Sequence, residues 1–123
     1  MEKVIDVGGQ QIRMRASALV PRLYRFKFGR DMISDMRSLQ QSMKKVLDDR
    51  QAGDDTAELS MEDLTIFEDL AYIMAKHADP SVPSEPEEWL DSLDGVFSIY
   101  AALPEMLELW GVNNLTTSVP VKK

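Results

Sequence analysis

The chain contains no cysteine, which excludes disulfide frameworks, thiolate metal sites and thiol nucleophiles together. It carries one histidine, His77, so any imidazole chemistry has to rest on a single ring. No run of about 18 consecutive apolar residues occurs, and no membrane-spanning helix is expected. The opening Met-Glu-Lys-Val-Ile lacks the basic-then-apolar plan of a secretory leader, and the absent thiols lean mildly towards the cytosol. Glycine and proline number six each, too few for a collagenous or low-complexity chain.

What is present suits a small folded protein. Of 123 residues, 44% are hydrophobic and 28% charged, and a chain of this length can bury roughly two-thirds of its unfolded surface. One domain over residues 1–112 is expected, with a flexible tail at 113–123. Charge is segregated. Residues 1–50 hold eleven Lys/Arg against six Asp/Glu, whereas residues 51–123 hold three against fifteen, giving −7 for the whole. Arg13, Arg15, Arg22, Arg25, Lys27 and Arg30, with Tyr24, Phe26 and Phe28 interleaved, have the composition of a nucleic-acid arm. The acidic whole is repelled by phosphate, and opposite-sign halves can attract each other within or between subunits. Nucleic acid is therefore the weaker reading.

Hydrophobic periodicity predicts a mainly α fold: an N-terminal β-hairpin followed by four to five helices in a small irregular bundle. Residues 1–15 read as the hairpin, with Gly8-Gly9 at the turn. That turn pairs Val7 with Gln10, Ile5 with Ile12 and Lys3 with Met14, offering Ile5, Val7, Ile12 and Met14 for burial. Ser17 or Val20 opens a short helix with Pro21 in its first turn and Gly29 at its close; its apolar set is Leu19, Leu23, Phe26 and, as a further candidate, Tyr24. Asp31 caps a longer helix to about Asp49, along which Met32, Met36, Leu39, Met43 and Val46 or Leu47 alternate by four and three.

Residues 51–58 read as a solvent loop. Ser60 and Asp63 form a capping-box signal, Leu59 can staple onto Leu64, and Leu64, Phe67, Leu70, Ala71 and Met74 form the buried face of the next helix. Pro80 and Pro83 end it. Ser84 and Glu87 give a second capping signal ahead of Trp89, Leu90 and Leu93, with an interruption at Gly95. A last helix is expected from about Val96 to Trp110, kinked or broken at Pro104 and capped at Gly111.

The chemistry-bearing groups do not converge. His77, near a helix end, suits a cationic capping role. Adjacent acids such as Glu62/Asp63 and Glu87/Glu88 diverge on a helix and cannot hold one ion. Gly8-Gly9 lies in no phosphate-loop pattern. No enzyme activity, cofactor or metal is expected. Eight methionines are many for this length, and Met32, Met36 and Met43 share one stripe; thioethers suit an adaptable groove, although such a stripe is more often plain core.

Three stretches carry a family resemblance: PRLYRFKFGRD (residues 21–31), YIMAKHAD (72–79), and EEWLD (87–91) through FSIYAALPEMLELWGVN. Over about Leu19 to Asn113 the chain resembles tail assembly chaperones of long-tailed phages and prophages of Gram-positive bacteria, similar in task to the lambda tail chaperone. The resemblance implies a protein that binds the tape measure protein, keeps it soluble, and is displaced as tail-tube protein assembles. It implies action in the host cytoplasm, absence from the mature virion, homo-oligomers, and in many members a longer frameshifted form, with which Lys122-Lys123 is compatible. Tyr24, Phe28, Met32, Met36, Leu39 and Met43 are the expected client- or subunit-facing residues. The rival class is a small regulatory adaptor that binds protein or nucleic acid through the basic first third.

Overall fold

A computed structural model describes residues 2–7, 10–93 and 99–110. It contains a two-stranded hairpin, β1 (Glu2–Val7) and β2 (Gln10–Arg15), followed by α1 (Val20–Phe28), α2 (Met32–Gln51), α3 (Met61–Ala78), α4 (Pro86–Ser92) and α5 (Ile99–Trp110). The mainly helical fold with an N-terminal hairpin is thus the one read from the sequence. The strands pair antiparallel in the expected register, with Ile5 opposite Ile12 and Lys3 opposite Met14. Ile5 and Met14 are buried and Ile12 is half-buried. Gly8-Gly9, Gly95, Phe97, Gly111 and the expected tail at 113–123 lie outside the described residues.

α3 is the centre of the assembly. Phe67 and the seven consecutive residues from Asp69 to Ala75 are all buried, so this segment is covered on every side rather than along one stripe. β2, α1, α2, α4 and α5 all touch it, and β1 packs on α5. The resulting core draws on every element, from Ile5 through Tyr24, Leu39, Phe67 and Trp89 to Leu109. A residual interior void of only about 10 Å³ lies among Met36, Leu70, Met74, Leu103, Met106, Leu107 and Trp110, showing how closely the flexible thioethers fill the junction of α2, α3 and α5.

Local sequence sets the helix ends. Pro21 occupies the first turn of α1, where its missing N–H costs least, and the bond from Val20 N–H to the Ser17 carbonyl places the start at Val20. Gly29 closes α1 at φ 71°, a left-handed conformation that favours glycine. Asp31 caps α2 by accepting from the Ser34 N–H. At α3 the Ser60 hydroxyl accepts from the Asp63 N–H (3.1 Å) while the Asp63 carboxylate accepts from the Ser60 N–H (3.2 Å), a complete capping box.

Three local expectations are corrected and one open alternative is resolved. In α1 the buried side chains are Val20 and Tyr24, whereas Leu19 and Phe26 are exposed. Tyr24 and Phe26 are two residues apart, about 200° around a helix, so a helix covered on one side cannot bury both. In α2, which runs to Gln51, the open choice between Val46 and Leu47 falls to Val46, which is buried while Leu47 is exposed. Leu64 is exposed, so the buried face of α3 begins at Phe67. α4 begins at Pro86 with Glu85 rather than Ser84 at its cap, and no side chain caps it. Proline favours the first helical position and forces the preceding residue into extended backbone, which Glu85 adopts at φ −120°, ψ 137°.

The Leu70→Ala variant is expected to lose about 2–5 kcal/mol of unfolding free energy through cavity formation at the hub. Ser60→Ala should lose about 1 kcal/mol through its capping bond. Urea unfolding of both variants against the parent protein measures these losses.

Candidate interaction surface

A polar cluster ties three helices together. The Arg30 guanidinium donates to Asp35 (2.8 Å), to Asp69 (2.7 Å) and to the Tyr24 hydroxyl (2.8 Å), and Tyr24 in turn donates to Asp35 (2.6 Å). The guanidinium also lies 5.4 Å from the Tyr24 ring centroid and 5.5 Å from that of Phe28. Burial pushes the Asp69 carboxyl above its ordinary range, partly offset by Arg30, and pushes the Tyr24 phenol strongly upwards, reinforced by Asp35. The cluster fastens α1 and α2 to α3, and no buried side-chain polar atom among the described residues lacks a partner.

The outward-facing feature is a groove of about 590 Å³ between α1, α3 and the segment that follows α3. Leu23, Tyr72 and Ile73 form its apolar floor, Phe26 and Pro80 stand on its sides, and Lys27, Lys76, His77 and Ser84 complete the rim. Phe26 is 74% exposed, an unusual state for a phenylalanine. The Arg22 guanidinium lies 5.4 Å from its ring centroid, a contact that a spacing of four on α1 makes available.

The far wall is fixed by hydrogen bonds to carbonyl groups. Tyr72 donates to the Pro83 carbonyl (2.7 Å), Lys76 to those of Pro80 (3.0 Å) and Val82 (2.6 Å), and Lys27 to that of Ser84 (2.7 Å). Lys27 also pairs with Glu85 at 3.3 Å, and Tyr72 meets Trp89 edge-on at 5.9 Å, which anchors α4. Burial, with the charges of Glu85 and Glu88, raises the Tyr72 phenol above its usual value.

No family model, curated protein or solved structure matches this chain. The surface must therefore be judged on its own geometry. Among the described residues no three His, Asp or Glu side chains gather as a metal site, and no helix is long and apolar enough to cross a membrane. Two further depressions exist, one of about 470 Å³ beside Gln10–Arg13 and α4, the other of about 310 Å³ beside Arg30 and Met61. Neither carries an aromatic ring as exposed as Phe26.

The expected contact residues fall elsewhere. Tyr24, Met32, Met36, Leu39 and Met43 lie inside the chain's own core, and Phe28 is half-buried against it. Their apolar surface is covered, wholly or in the case of Phe28 partly, by the chain's own core. Phe26 was the legible clue: an aromatic flanked by Arg25 and Lys27, four residues from Arg22, and off the Val20–Tyr24 face.

His77 also differs from expectation. Its Nε2 lies 2.9 Å from the Ser17 hydroxyl, and burial, then the positive charge of Arg15, holds its pKa below the ordinary value. The cationic role at the α3 C-terminus falls to Arg13, which donates to the Ala78 carbonyl at 2.8 Å. A depressed imidazole pKa stabilises the fold fully above about pH 6.5, and that contribution is lost as pH falls through the folded value. The melting temperature of the parent is expected to drop between pH 7.5 and 5.5 by more than that of His77→Gln. Phe26→Ala, in contrast, should stay within about 0.5 kcal/mol of the parent in urea unfolding.

Proposed function

We propose that the protein is a non-enzymatic helical chaperone of phage tail assembly, which holds the tape measure protein soluble until tail-tube protein displaces it. The observation that carries this reading is the Phe26 groove, an apolar floor with a large aromatic in solvent on an otherwise well-satisfied fold. Exposed apolar surface rimmed by polar groups marks a protein-binding site. The family resemblance over Leu19 to Asn113 supplies the client. A tape measure protein offers long amphipathic helices, which need many copies of a small partner held weakly enough to be stripped away. Such a task requires no cofactor, and it places the protein in the bacterial cytoplasm and outside the finished virion.

Self-association along the client, and pairing with a longer frameshifted form, belong to the same proposal. Part of the charge segregation is satisfied inside the chain, where Lys3 reaches Glu108 (2.7 Å) and Glu105 (3.6 Å) and Arg30 reaches Asp69, each joining the basic first half to the acidic second.

Co-expression with a tape measure fragment from the same phage genome tests the assignment. The fragment is expected to move from the pellet to the soluble fraction with the parent protein and to remain insoluble with Phe26→Glu, which itself stays folded by circular dichroism. A fragment equally insoluble with and without the parent protein overturns it.

A further inference from the structure

Resting on the groove as the client site, we infer that its occupant is an acidic amphipathic helix, whose apolar stripe lies over Phe26, Leu23 and Ile73 and whose carboxylates face the basic rim. Two observations argue for this chemistry. The first concerns backbone groups. Both long walls are helices, whose peptide groups are paired internally. The carbonyls of Pro80, Val82, Pro83 and Ser84 along the remaining wall already accept from Lys76, Tyr72 and Lys27. An extended segment would find no sheet edge there and would leave its own N–H and C=O groups unpaired, whereas a helix satisfies them itself.

The second observation is charge. Lys27 and Lys76 stand at the rim and Arg22 lies over the Phe26 ring beside it, whereas Arg25 points to the far side of α1. Glu85 is engaged by Lys27, and Asp79 accepts from both the N–H and the hydroxyl of Ser81. Among the described residues Arg22 has no carboxylate partner, and it is exposed. A carboxylate-bearing helix would supply what Arg22 lacks, and a lysine-rich helix would be repelled. The groove therefore selects by sign of charge as well as by greasiness, which separates client segments that share the same apolar period.

Three synthetic helices of about five turns with one common apolar stripe, bearing glutamate, glutamine or lysine on the polar face, are titrated into the full chain by fluorescence anisotropy. The glutamate helix is expected to bind at least tenfold tighter than the other two and to weaken at least fivefold between 50 and 500 mM salt, because screening removes the rim's attraction. Arg22→Glu should remove the advantage of the glutamate helix over the lysine one. Phe26→Ala should weaken all binding at least tenfold.

Equal affinity for the three helices, still lost in Phe26→Ala, overturns the charge selection while leaving the groove as the client site. Binding unaffected by Phe26→Ala overturns both. If no helix binds and the protein instead forms concentration-dependent oligomers that Phe26→Ala dissolves, the occupant is a second copy and the inference fails.

Discussion

Burial of α3 on every side is the constraint from which the architecture follows. A helix with seven consecutive buried residues from Asp69 to Ala75 cannot rest on one neighbour, and the chain surrounds it with β2, α1, α2, α4 and α5. Leu70, Ala71 and Met74 need apolar cover, which the α2 and α5 stripes provide. Asp69, within the same stretch, needs a cation, and Arg30 reaches in from the turn after α1. An uncompensated carboxylate there would be strongly destabilising, so the position of α1 is tied to an electrostatic requirement as well as to packing.

That requirement also shapes the outer surface. Because Tyr24 turns inward to complete the Arg30, Asp35 and Asp69 cluster, Phe26, about 200° further round α1, points outward, and half-buried Leu23 floors the space beside it. The groove is thus a geometric consequence of burying one aromatic and exposing the other. Its far wall is held by side-chain donors to loop carbonyls, which keeps the site formed without a ligand. A preformed apolar site loses less ordering entropy on binding than a flexible one.

Much of this architecture was legible in the residues. The hairpin register followed from where Gly8-Gly9 interrupts the alternation, and the α2 stripe from spacings of four and three. Ser60 with Asp63 marked the start of α3 because capping chemistry is local. The interaction surface was less legible for a physical reason. A methionine stripe on an amphipathic helix has the same pattern whether it faces a partner or its own core, and only the neighbouring helix decides. Here α3 takes that stripe inward. The cap of α4 depended on the steric demand of Pro86 outweighing the side chain of Ser84, and the role of His77 depended on Ser17, sixty residues away. The first is a contest between two local signals, and only the second is a long-range contact that local sequence does not carry.

Backbone hydrogen exchange, measured with and without a bound client helix, separates the two surfaces most directly. The account requires slow exchange at 67–75 in both states, with new protection confined to 22–27 and 72–84. Deprotection of the α3 hub, or new protection centred on Met32, Met36, Leu39 and Met43, would show instead that the client opens the core and binds the methionine stripe.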